Sequence, residues 1–155
     1  MARPRVAMHR QEIKIRFATP EDADSIYALG VADSAFRVSD VIRFYEKSEL
    51  AEWAEKTADN LLLVVEGDSE IVGFAFCKIM SHHWAMLDNF YIKPCSRCIP
   101  TNEYLWRRLL VELTNRKVTY LTCLVRDDHE AIVRLARRRG FARQHSYSWL
   151  ELFLK

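Results

Sequence analysis

Leu61-Leu62-Leu63-Val64-Val65-Glu66-Gly67-Asp68-Ser69-Glu70-Ile71-Val72-Gly73-Phe74-Ala75-Phe76-Cys77-Lys78-Ile79 is two β-rich runs around one polar break. Branched and aromatic residues fill a pleated surface well, and Glu66 to Glu70 supplies the turn chemistry that closes a hairpin. Trp84 to Ile92 continues as a third antiparallel strand, so the middle of the chain reads as a β-meander. On its N-terminal side, Ile13, Ile15 and Phe17 alternate with Lys14 and Arg16, the period of a half-buried strand. Thr19-Pro20-Glu21-Asp22 then offers an N-cap, a proline at the first helical position and an acid three residues past the cap, ahead of the stripe Ala23, Ile26, Tyr27 and Leu29. A second helical stretch is expected over Ser39 to Thr57, with a polar interruption at Glu46 to Glu49.

On the C-terminal side, Phe90 to Ile92 passes through Lys93 to Asn102 into a helix whose Leu105, Trp106, Leu109, Leu110 and Leu113 recur at helical spacing. Val118 to Val125 suits a buried strand. Asp127 and Asp128 are expected to cap a last helix running to Arg139, with Ile132 and Leu135 inward and Gly140 at its C-terminal end. Ser146 to Leu154 reads as a terminal strand. This order predicts an α+β (mixed α/β) fold: a mixed, mostly antiparallel sheet of about six strands flanked by about four helices.

Half of the 155 residues are hydrophobic, enough for one core, so residues 12–155 are expected to form a single domain behind a tail at residues 1–11. The 23 basic and 21 acidic residues nearly cancel, which argues against nucleic acid and against a membrane surface as partner. No window approaches the ~20 apolar residues of a membrane-spanning helix, and no leader-like segment opens the chain, so a cytoplasmic protein with reduced thiols is expected. Cys95-x-x-Cys98 lacks the second pair a zinc site would need, and no metal is expected. Cys77 and Cys123, in apolar strands, read as small core residues. Arg134, Arg137, Arg138 and Arg139 suit a helix C-terminus and equally a basic rim for an anion.

The stretch from Phe90 to Leu105 carries the functional signal. A strand emptying into a helix N-terminus aims backbone N–H groups and the positive end of a dipole at one point, which is an anion site. Ile15-Arg16-Phe17-Ala18-Thr19-Pro20-Glu21-Asp22-Ala23, Glu70-Ile71-Val72-Gly73-Phe74-Ala75, the spacing of Leu87, Phe90, Ile92 and Pro94, and Gly140-Phe141 together resemble the GNAT superfamily of acyl-CoA-dependent N-acyltransferases over residues 12 to 154. The resemblance implies that the fourth and fifth strands splay and that pantetheine pairs with backbone at Phe90, Tyr91 and Ile92. It implies also that an N–H near Phe90 polarises the thioester carbonyl.

The family's phosphate loop aligns with Arg97, Pro100 and Asn102, with Cys98 at another frequent glycine position, so only Arg97 keeps the pattern. Cofactor contacts are therefore expected from Phe90, Tyr91, Ile92, Arg97, Cys98, Ile99, Thr101, Asn102 and His129, with acetyl-CoA or another acyl-CoA as co-substrate. Ala136 stands where the family carries its general-acid tyrosine, and His129 stands at an upstream asparagine, suited to bind cofactor or to supply the acid. Asp88, inside an otherwise apolar strand, is the candidate general base. Phe36, Phe44, Tyr45 and Trp53 suggest an aromatic pocket for the amine, although the same rings fit a core. The expected activity is transfer of an acetyl group to a primary amine of a small molecule or protein. A catalytically inactive CoA-binding or protein-interaction module is the alternative, and an exposed terminal strand would allow a homodimer.

Overall fold

The hairpin at the middle of the sequence lies at the middle of the sheet. The computed structural model describes residues 12–37, 39, 41–97 and 99–154, so the N-terminal tail and Cys98 lie outside the described residues. The strands β1 (Ile13–Phe17), β2 (Asn60–Gly67), β3 (Glu70–Ile79), β4 (Trp84–Ile92) and β5 (Tyr120–Cys123) lie side by side in that order. Neighbours from β1 to β4 are antiparallel, and β5 runs parallel to β4. With α1 (Ala23–Ala32), α2 (Lys47–Glu55), α3 (Ile99–Asn115) and α4 (Glu130–Arg138), the fold is α+β with a mixed, mostly antiparallel sheet. The chain divides into two compact units, one up to Leu124 and one from Val125. Among the described residues no helix is long and apolar enough to cross a membrane.

Period-2 alternation sends β2 and β3 side chains to two cores. Leu62, Val64, Phe74 and Phe76 pack under α1 and α2, where Ile26, Leu29 and Leu50 close the layer. Leu61, Leu63, Val65 and Ala75 face α3, whose Leu105, Leu109 and Leu113 are buried as the heptad-like spacing requires. Between β2 and β3 only Asp68 and Ser69 turn, with φ of 51° and 66°, so the turn is shorter than the Glu66–Glu70 break suggested. Two consecutive positive φ values match the twist of the flanking strands.

Several expected boundaries move. The second helix begins only at Lys47, because Glu46 lies at its N-cap and donates its N–H to Glu49 Oε2 at 2.9 Å. The polar interruption was thus a helix start, and Val41 and Ile42 ahead of it are exposed. The strand expected over Val118 to Val125 is reduced to β5, half-buried, since Lys117 at φ 62° spends the preceding residues on a turn.

In the second unit, His129 rather than Asp127 or Asp128 holds the N-cap position of α4. Asp128 accepts from Arg126 at 3.1 and 2.6 Å, and Asp127 pairs with Arg143 at 3.3 Å. Ile132 and Leu135 are exposed, not inward. Ser146–Leu154 forms no strand, because an apolar alternation becomes a strand only against a ladder partner and its own unit contains none among the described residues. Among the described residues the sheet therefore has five strands. Gly140 at φ 95° ends α4 in the left-handed conformation expected of a C-terminal glycine.

A partly buried ion pair joins β1 to the turn before α1. Arg16 Nη1 lies 2.7 Å from Asp22 Oδ2, Arg16 Nε reaches Glu66 Oε2 at 2.9 Å, and the Thr19 N–H donates to Asp22 Oδ2 at 2.8 Å. Burial opposes ionisation of Asp22, yet the Arg16 guanidinium and the Thr19 N–H outweigh it and hold the carboxyl below its usual range. A depressed native pKa adds stability that is complete at neutral pH and fades as pH falls below the ordinary carboxylate range toward the native value. Asp22→Asn is expected to cost about 2 kcal/mol at neutral pH, with the gap to the parent closing on acidification. Urea unfolding of both proteins across pH checks this.

Candidate functional site

The site is built on a fork in the sheet. Pairing between β4 and β5 runs from Trp84↔Tyr120 to Leu87↔Cys123 and stops, so Asp88–Ile92 have no β5 partner while the pairing with β3 continues to Ile92↔Gly73. An amide edge is thereby opened along the last residues of β4. The second irregularity is a bulge, since Cys77 pairs with Leu87 while Phe76 pairs with Asn89, leaving Asp88 as the extra residue. A bulge re-aims side chains, and here it changes which face the strand presents. Leu87 and Ala85 belong to the α3 core, whereas Asn89 stands opposite Phe76 on the face covered by α1 and α2.

Asp88 points to that same face, because it accepts a hydrogen bond from the Tyr45 hydroxyl. Burial pushes the Asp88 carboxyl above its usual range, with the nearby Lys78 charge and the Tyr45 hydroxyl offsetting part of the effect. Burial and the Asp88 charge in turn keep the Tyr45 hydroxyl protonated, so it remains the donor of the pair. Trp53 stacks on Phe76 with ring centroids 4.8 Å apart and planes 8° from parallel, and Tyr45 meets Trp53 edge-on at 4.9 Å. Lys78 Nζ lies 5.4 Å from the Trp53 ring centroid. Trp53 and Lys78 also line an open groove with Glu52, Asn60 and Met80. A carboxylate whose pKa is raised by burial holds a proton more readily than an exposed one, and this one stands beside two aromatic rings.

Tyr45, Trp53 and Asp88 are therefore brought together. Phe36 lies further along the same layer, against Phe44, Phe74 and Tyr91 at 5.8, 5.8 and 5.4 Å, and Phe44 is buried. Phe90 turns to the α3 side, where its ring meets Trp106 at 6.1 Å. Arg97 closes the loop after β4: its Nε donates to Ile92 O at 2.5 Å, its guanidinium lies 5.4 Å from the Tyr91 ring centroid, and Nη2 is 3.9 Å from Asp33 Oδ2. Nearly half of the Arg97 side chain remains exposed.

Helix α3 begins at Ile99, so Pro100 falls in the first turn, where a missing N–H costs no intrahelical bond. Thr101 is buried, Asn102 is half-buried, and Cys98 lies outside the described residues. His129 belongs to the second unit, its Nε2 4.0 Å from Asp128 Oδ1. Two residues of the Asp88 surroundings had not been singled out, Lys78 and Asn89. Lys78 was legible as a cation in phase with Phe74 and Phe76, but Asn89 needed the bulge, which no pattern in the sequence announces.

Residues 27–141 match the sequence pattern of the Acetyltransferase (GNAT) family, and the chain belongs to that family. Comparison with curated proteins by sequence finds no match. Among solved structures the fold is similar to PaiA N-acetyltransferase from Thermoplasma acidophilum in complex with coenzyme A, at a TM-score of 0.77 and 18% identity over 88% of this chain and 93% of that one. It is similar also to ribosomal-protein-alanine N-acetyltransferase from Brucella melitensis biovar Abortus 2308, at 0.66 and 16% over 91% and 100%. A third similar structure is aminoglycoside N-acetyltransferase AAC(6')-Iy in complex with CoA, at 0.71 and 12% over 95% and 99%. At these identities the likeness is one of fold.

Proposed function

We propose that the protein is an N-acetyltransferase that moves an acetyl group from acetyl-CoA to a primary amine by direct attack. The observation that carries this reading is the fork: β4 loses its β5 partner from Asp88 onward, beside a half-buried carboxylate with a raised pKa. Backbone at Phe90, Tyr91 and Ile92 would pair with the extended pantetheine amides as an added strand does. An N–H near Phe90 would face the thioester oxygen. The first turn of α3, with Ile99, Thr101 and Asn102, and the exposed part of Arg97 would receive the phosphates. Cys98 and His129 complete the cofactor contacts of this reading. Asp88 takes a proton from the ammonium, the freed nitrogen lone pair forms the new C–N bond, the C–S bond breaks, and the departing sulfur carries the electron pair until it is protonated. His129 is the proposed source of that proton, in the place of the tyrosine replaced by Ala136.

Calorimetric titration with acetyl-CoA tests the reading. Binding in the micromolar range is expected, weakened about tenfold by Arg97→Ala through loss of one charge-assisted contact. Absence of binding at millimolar acetyl-CoA would overturn it. Ala136 favours one second reading, a CoA-binding or protein-interaction module without transfer, for which tight binding with no turnover against any amine is the signature. The amine acceptor belongs to the same proposal, with Tyr45, Trp53 and Phe36 as its aromatic wall. A cytoplasmic location is consistent with the free thiols of Cys77, Cys95 and Cys123.

A further inference from the structure

Asn89 holds a buried side-chain oxygen that has no hydrogen-bond partner among the described residues, Oδ1, in a residue 7% exposed. Such an oxygen costs free energy unless a donor reaches it, and buried polar atoms left alone in this way are rare. The bulge explains its position. By letting Asp88 take the extra place, it puts the Asn89 side chain opposite Phe76, on the face where Tyr45 donates to Asp88. Two adjacent residues thus present two acceptors, a carboxylate and an amide carbonyl, against the aromatic layer. Tyr45 supplies one donor to this pair, and among the described residues no donor reaches the Asn89 oxygen. What the pair lacks is a group carrying several N–H bonds on one atom.

We propose that Asn89 Oδ1 is the second acceptor for the incoming ammonium, and that Asp88 and Asn89 together select a primary amine by each taking one N–H. This inference rests on the acceptor side of the reading above and adds to it a positioning residue. A primary ammonium donates one N–H to Asp88, the one that is later transferred, and a second to Asn89, which fixes rotation about the C–N bond. A tertiary ammonium has one N–H and satisfies only one of the two. Asn89 changes no bond in the reaction.

The test is calorimetric titration of phenethylamine and of N,N-dimethylphenethylamine into the protein with CoA present, in the parent, Asn89→Leu, Asn89→Asp and Asp88→Asn. The parent is expected to prefer the primary amine about tenfold, the magnitude of one hydrogen bond to a charged group. Asn89→Leu is expected to bring the two amines close to parity, and Asn89→Asp, which keeps an acceptor oxygen, to retain the preference. Asn89→Leu also removes an unsatisfied oxygen, so its melting temperature is expected to equal or exceed that of the parent. A lower melting temperature would mean that the oxygen serves the fold, and the inference would fall. An unchanged preference in Asn89→Leu, with the preference lost in Asp88→Asn, would overturn the role of Asn89 while leaving the acceptor site at Asp88 standing. If neither amine binds the parent at millimolar concentration, the acceptor site itself is misplaced and both readings fall.

Discussion

Asp88→Asn is expected to slow acetyl transfer by roughly 10²–10⁴-fold, the usual contribution of a positioned proton acceptor, while leaving acetyl-CoA affinity near that of the parent. The variant keeps shape and hydrogen-bonding capacity beside Tyr45 and loses only the ability to accept a proton. The same substitution acts on stability in the opposite direction. The native pKa of Asp88 is raised by burial above its unfolded value, so its ionisation works against the fold. That penalty is absent below the ordinary carboxylate range and grows as pH climbs through the raised value. Asp88→Asn should therefore match the parent in acid and be the more stable protein at neutral pH. The parent's rate should rise with pH over the window in which its stability falls. Rate and chemical unfolding measured on one pH series check both, and a loss of stability on substitution at neutral pH would remove Asp88 from the role of half-buried base.

Gly73→Val is expected to cost about 3 kcal/mol, within the range for forcing volume into a closed site, and to weaken acetyl-CoA binding with it. A Cβ at Gly73 would stand 2.5 Å from the backbone oxygen of Tyr91 and 3.1 Å from Ile92 Cα. Those are backbone atoms of a paired strand, which cannot swing aside as a side-chain tip can. The displacement falls on Tyr91 and Ile92, two of the residues proposed to pair with pantetheine. Thermal unfolding and the acetyl-CoA titration on the same variant separate the two effects. A fold left intact with affinity unchanged would mean that β4 yields more easily than its pairing suggests.

The layout of the first unit was legible because each element carries its own local rule. Alternation marked β1, the Thr19-Pro20 start marked the entry to α1, and Leu105, Leu109 and Leu113 marked the buried stripe of α3. Misjudged elements depend on something local rules do not contain. Ser146–Leu154 alternates as a strand should, but a strand is a relation between two segments. Glu46 and Glu49 read as a polar break because a glutamate pair inside a helix and one capping it look alike in composition. The site followed the same division. Asp88 stood out as an acid in an apolar run, and Tyr45 and Trp53 as rings near the first helices. The bulge that turns Asp88 and Asn89 toward those rings depends on the register against Phe76 and Cys77, which only pairing sets.

The fork between β4 and β5 also bears on how the protein fares among other chains. A sheet normally has two edges, and nature blunts them; β1, with Lys14 and Arg16 along an outer strand, is blunted in that way. The fork adds a third among the described residues, inside the sheet, where Phe90, Tyr91 and Ile92 pair with β3 but with no residue of β5, and the Ile92 oxygen is taken by Arg97 Nε. This segment is apolar and hospitable to any extended peptide that reaches it. A bound ligand lying along the edge would occupy it, and by mass action would also hold the folded population against the unfolded one. For such a molecule, the supply of ligand in the cell bears on solubility and lifetime as well as on turnover.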